Sequence, residues 1–124
     1  MQWILLIAGG ILGTLCRFLL STSLHRWTGG ADFPYGTLAV NMIGCLAAGF
    51  IGGLADQRGM LTPQARLFCM VGFLGAFTTF SALIYESGRL LQDGQALLAG
   101  INVFGSVAVG FAALWFGLFL SSLL

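Results

Sequence analysis

The feature that most constrains this chain is a succession of four apolar stretches, Trp3–Thr22, Tyr35–Ala55, Arg66–Leu91 and Leu97–Leu123, joined by short polar connections. Crossing a hydrocarbon core of roughly 30 Å takes about 20 apolar residues in an α-helix. Each stretch is about that long, and charged residues make up only 7% of the 124. A mean hydropathy of +0.97 leaves no polar portion from which a water-soluble domain could be assembled. The expected fold is an all-α membrane protein with a single four-helix transmembrane domain over residues 1–124 and both termini on one side. The first stretch has no basic residue ahead of its apolar part and leads into Arg17, so it reads as a span rather than a removed signal.

Little points to bond-making chemistry. Cys16, Cys45 and Cys69 are isolated, fall within the spans and read as small hydrophobes. His25 has no second histidine with which to hold a metal. There is no nucleophile–base pair, phosphate loop, zinc motif or nucleic-acid signature. The basic residues are five arginines. Arg58 and Arg66 flank the second connection, Arg26 and Arg89 lie at the first and third, and Arg17 is inside the first span. Orientation in a membrane is set by an excess of basic residues on one side, and here that excess is almost nil. Either something other than charge orients the chain, or it inserts both ways and pairs antiparallel; the balance favours the second.

Polar residues in lipid are costly and face protein or water. Gly72-Phe73-Leu74-Gly75-Ala76-Phe77-Thr78-Thr79-Phe80-Ser81 interrupts the third stretch with glycines, threonines and a serine. Irregular backbone at membrane depth is tolerated only where it is buried in protein or lines a cavity, so the third helix is expected to break near mid-membrane. Such breaks turn freed carbonyls and amides towards ions. Asn41 precedes Gly44, Ala48 and Gly52 on one helical face, and Asn102, Ser106 and Gly110 repeat at fourfold spacing in the last span. Two polar stripes favour a lined path over two independent fasteners. Four helices leave no room for such a path through their own centre, so it would form where two copies meet. Gly9 with Gly13, the ladder Gly44, Ala48 and Gly52, and Gly49 with Gly53 would permit close helix contact within or between copies. Arg17 reads as a snorkelling side chain or as an anion vestibule. Glu86, the only glutamate, reads as a group that couples to a proton or a cation or, favoured here, as a partner of Arg89 at i+3. Phe73, Phe77 and Phe80 would share a face on an intact helix, with Phe80 set between Thr79 and Ser81 beside the expected break. The positive edge of a phenyl ring can stabilise a small anion without a fixed charge to trap it.

These residues resemble the Fluc/CrcB family of fluoride channels. The likeness rests on Gly10-Ile11-Leu12-Gly13 with Arg17, on Gly36-Thr37-Leu38-Ala39-Val40-Asn41 with Gly44, and on the Gly72–Ser81 segment with Glu86. It implies an antiparallel dual-topology homodimer with two fluoride pores. It also implies a structural Na+ at the dimer interface, held by the main-chain carbonyls of Gly75 and Thr78. Asn41 and Phe80 would line the pore with Thr79 and Ser81, Ser106 would line it from the fourth helix, and Arg17 would lie near its mouth. This chain departs from the family in Ala82, Leu83 and Ile84 after Ser81, so Leu83 stands where a second pore phenylalanine is usual. Asn102 stands where some members have tyrosine. A complementary paralogous subunit is the alternative to a homodimer.

The sequence thus points to a passive fluoride channel in a bacterial plasma (inner) membrane, surrounded by lipid, exporting fluoride and protecting the cell; it is not an enzyme. A small proton-coupled exporter of cationic compounds has a similar size and charge balance, but the first span here has no acid. A structural membrane subunit without transport would have no use for polar stripes.

Overall fold

Apolar runs uninterrupted by proline favour long helices, and a computed structural model covering residues 1–124 contains helices and no strands. Helix α1 spans Gln2–Trp27 and α2 spans Tyr35–Asp56. The third span opens with α3, Pro63–Arg66, passes into a π-helical segment, Leu67–Leu74, and runs on through α4, Gly75–Phe77. Helix α5, Ser81–Gln92, continues in the same direction along the chain, and α6 is Ala96–Ser122. Four helical spans, Gln2–Trp27, Tyr35–Asp56, Pro63–Gln92 and Ala96–Ser122, are long and apolar enough to cross a membrane.

Local chemistry sets the ends. Helix α1 runs past the expected Thr22 to Trp27, and its hydroxyls are satisfied by the helix itself: Ser21 Oγ donates to the Arg17 carbonyl at 2.8 Å, and Thr28 Oγ1 to that of Leu24 at 2.9 Å. The third span begins before the expected Arg66 because Thr62 Oγ1 accepts the Ala65 amide at 3.2 Å and Pro63 occupies the first helical position. After α5, Gly94 takes φ +76°, the Gln95 amide reaches the Leu90 carbonyl at 2.8 Å and the Gly94 amide reaches that of Leu91 at 3.1 Å. That is a Schellman stop, and it folds α6 back along α5.

Helix α2 packs along α6, α1 along the π segment and α4, and α5 along α6. Backbones meet where glycine removes the side chain. Gly49 lies on the Leu114 backbone, Gly117 on that of Leu46 and Phe50, and Gly53 on the Ser121 hydroxyl. Gly72 approaches Gly9 so closely that a Cβ on Gly72 would lie 3.2 Å from the Gly9 Cα, and Gly13 faces the Phe73 carbonyl. Gly44 accommodates the Thr78 methyl. The glycine pairs that the sequence left open between intra- and intersubunit contact, Gly9 with Gly13 and Gly49 with Gly53, are thus used within one chain. The contacts on α1 come from Phe68, Gly72, Phe73 and Phe77, a wider period than an α-helix gives and the one a π-helix provides. Val40, Leu74 and Phe77 form a small apolar core, while most large side chains of α1 and α6, including Trp3, Phe18, Phe104 and Trp115, point outward.

Candidate functional site

Helical hydrogen bonding stops at Phe77 and resumes at Ser81. Thr78 is extended, with ψ 157°, while its amide and its hydroxyl both bond to the Leu74 carbonyl, at 3.0 and 2.9 Å. The next peptide is clamped by a side chain from α2. Asn41 Nδ2 donates to the Thr79 carbonyl at 2.9 Å, and Asn41 Oδ1 accepts the Thr79 amide at 2.8 Å. The amide therefore replaces two main-chain bonds that the interruption removes, and Nδ2 keeps a second hydrogen to donate. Thr79 Oγ1 accepts the Ala82 amide at 3.3 Å. The Phe80 and Leu83 amides have no main-chain acceptor, and the Thr78 carbonyl receives no hydrogen bond. The amides that would otherwise reach the Gly75 carbonyl go to Leu74 and Asn41 or stay free. Donors and acceptors are thus left over at one place. No group of three His, Cys, Asp or Glu side chains is placed to hold a metal, so a cation here would rely on main-chain oxygens.

Two open-sided cavities border the interruption, and a third adjoins one of them. One of about 410 Å³ is lined by Asn41, Gly75, Thr78, Thr79, Phe80 and Leu83, with Gly44 and Cys45 among its other walls. The second, of about 610 Å³, is lined by Arg17, Ser21, Thr37, Thr79, Ser81 and Glu86. The third, about 480 Å³, lies nearer the connections and includes His25, Asp32 and Arg89. Thr79 is common to the first and second, and Ser21, Thr37 and Glu86 are common to the second and third. A polar track therefore runs from the connections, past Glu86 and Arg17, to the clamped peptide.

The structure brings together Arg17, Asn41, Gly75, Thr78, Thr79, Phe80, Ser81 and Leu83 around these cavities. Phe80 is 75% exposed, whereas Leu83 is 7% exposed. Phe73 stacks on Phe77, ring centres 5.6 Å apart, but Phe80 follows the interruption and does not continue their row. Asn102 and Ser106 line none of the three cavities. Asn102 is fully buried and donates to Ser87 Oγ at 2.9 Å, while Gly110 faces the Cys45 sulfur; this stripe faces the neighbouring helices of its own chain. The pairing of Glu86 with Arg89 is corrected. Glu86 Oε1 accepts from Thr37 Oγ1 at 2.8 Å, and the single ion pair joins Arg66 to Asp56 at 2.7 Å on the surface. Glu86 is turned towards α2, where a hydroxyl meets it, while Arg89 is exposed. Thr37 was the residue missed. It stands one helical turn before Asn41 on the same face of α2, a spacing that could have found it.

The family described as "CrcB-like protein, Camphor Resistance (CrcB)" matches residues 4–118. The chain belongs to the CrcB-like family. Among the curated CrcB-like relatives, the Fluoride-specific ion channel FluC of Maridesulfovibrio salexigens is 42% identical over 123 residues, covering 99% of this chain and 97% of the relative. The protein of that name from Chlorobaculum tepidum is 44% identical over 124 residues, with 99% and 97% covered. That of Geotalea daltonii is 45% identical over 109 residues, with 88% and 87% covered. CrcB-like membership and four span-length helices together make this a multi-pass membrane protein.

Proposed function

We propose that the chain is a passive fluoride channel, not an enzyme, through which fluoride leaves a cell down its electrochemical gradient. Full-length relatives carrying the name Fluoride-specific ion channel FluC support this reading. The observation that carries it is the interruption at residues 78–80. The start of α5 leaves the Phe80 and Leu83 amides free beside the spare hydrogen of Asn41, and one phenyl ring shares their cavity. The N-terminal end of a helix is electropositive. A small anion there meets N–H groups and a ring edge but no fixed charge to hold it, while Arg17 attracts it from the adjoining cavity. Thr79 and Ser81 add hydroxyls along the way.

In this reading the interruption lies near mid-membrane, and two copies pair antiparallel so that the open-sided cavities are closed by the partner. The weak arginine bias supports insertion in both directions. The carbonyls of Gly75 and Thr78 suit a hard cation such as Na+, since they are oxygens without donors. Two carbonyls are an incomplete shell, which a second copy would double. The membrane is a bacterial inner membrane.

Proteoliposomes loaded with potassium fluoride should release fluoride once valinomycin is added, whereas chloride-loaded ones should not. Equal chloride release would sink the selective reading. Reporters fused to the C-terminus, one active only in the cytoplasm and one only outside it, should both give signal. A single orientation would require a partner of opposite topology.

A further inference from the structure

Thr78 is where the third span leaves its helical path, through a single torsion, ψ 157°. Nothing in its bonds to its own helix asks for that departure. Its amide and its hydroxyl both go to the Leu74 carbonyl, at 3.0 and 2.9 Å, and a threonine in an unbroken helix can make the same two bonds. What differs lies on α2. Asn41 takes both main-chain groups of Thr79. Three residues on, on the same face, Gly44 lies against the Thr78 methyl.

That methyl cannot swing away. Threonine branches at Cβ, so setting the hydroxyl on the Leu74 carbonyl also sets the staggered position of the methyl. A Cβ at residue 44 would overlap the methyl and come within 3.6 Å of the Thr78 Cβ and of the Phe77 ring. The one rotamer that turns the Thr78 Cβ hydrogen towards residue 44 puts the methyl on the Leu74 carbonyl in place of the hydroxyl. Moving the main chain is the remaining relief. The peptide between Thr78 and Thr79 carries the free Thr78 carbonyl on one side and the amide held by Asn41 on the other. We propose that Gly44 is a positioning residue: it receives the Thr78 methyl and so sets the angle at which this peptide meets Asn41. The two α2 residues act together, one holding the peptide and the other letting it come close.

The test uses the full chain, assembled in detergent, with isotope-labelled nitrogen in its asparagine side chains. There are two asparagines, Asn41 and Asn102, so the side-chain amide spectrum holds two pairs of signals, and Asn102 is an internal control. Gly44→Ala should shift the Asn41 pair and leave the Asn102 pair in place. Adding Thr78→Ser, which keeps the hydroxyl and drops the methyl, should return the Asn41 pair. A packing role alone would lower the unfolding temperature without moving that pair, and unmoved Asn41 signals would overturn the proposal. A shift that Thr78→Ser does not reverse would overturn it too. If Gly44→Ala does not assemble, the double variant has to assemble with the Asn41 signals of the unsubstituted chain, and its failure overturns the proposal in the same way. Fluoride flux is a second readout, which rests on the channel reading. It should fall about tenfold in Gly44→Ala, roughly the worth of one hydrogen bond, and recover in the double variant. Absent flux from the unsubstituted chain would defeat the channel reading and leave the asparagine signals to decide the role of Gly44.

Discussion

The α2–α6 interface and the interruption of the third span solve opposite problems with the same residue. Between α2 and α6, Gly49 and Gly117 bring two uninterrupted helices together until backbone touches backbone, and Gly53 makes room for the Ser121 hydroxyl. At the interruption, Gly75 has nothing of its own chain within 4 Å of where a Cβ would sit, and the neighbouring main-chain groups are unsatisfied. Glycine marks closeness in one place and openness in the other. What separates them is whether hydrogen bonds are left over, and only the second place has binding capacity to offer.

Gly49→Val should have the largest effect of any change considered, because the added carbons meet the Leu114 backbone, which cannot rotate away. The loss should reach or exceed the upper end of the roughly 1–3 kcal/mol typical of overpacking, visible as absent or aggregated protein on size exclusion. Gly75→Ala should leave the isolated chain folded. If it also leaves dimers intact, Gly75 does not face a second copy. Asn41→Asp turns a donor into a carboxylate oxygen facing the Thr79 carbonyl. Fluoride flux should fall by about 100-fold or more, equivalent to roughly 2.7 kcal/mol. Undiminished flux in assembled protein would mean that the clamp only fastens helices.

Phe80→Leu comes next. If a ring edge on an anion matches the about 0.5–1.5 kcal/mol of an aromatic pair, flux should drop by up to about tenfold with thermal stability unchanged, since Phe80 is exposed within its own chain. Leu83→Phe should behave in the opposite way, lowering the unfolding temperature through overpacking of about 1–3 kcal/mol, because Leu83 is buried. Thr37→Val should be mildest, removing one hydrogen bond to Glu86 worth about 1 kcal/mol. A large loss of flux there would show that the polar track past Glu86 is itself the route.

Helix number and span order were legible because they follow from hydropathy. Asn41 was legible as a polar residue needing a partner, but the partner, a peptide 38 positions away, was not. The direction of Glu86 was also hidden, since an i+3 arginine is visible in sequence and a threonine on another helix is not. The α6 stripe shows a related limit. Periodicity tells which residues share a face but not what that face meets, and Asn102 meets Ser87 inside the chain. Nothing in the residues Leu67–Leu74 announced a π-helix; it answers to the glycines of α1.

That π segment gives the third span a wider tread than the other three. A wide turn holds more residues than an α turn, so Phe68, Gly72 and Phe73 all come round to the glycines of α1 within one coil. Helix α2 keeps the ordinary pitch and spaces Gly44, Gly49 and Gly53 for what they touch. One neighbour is fitted by removing side chains, the other by widening the coil that passes it.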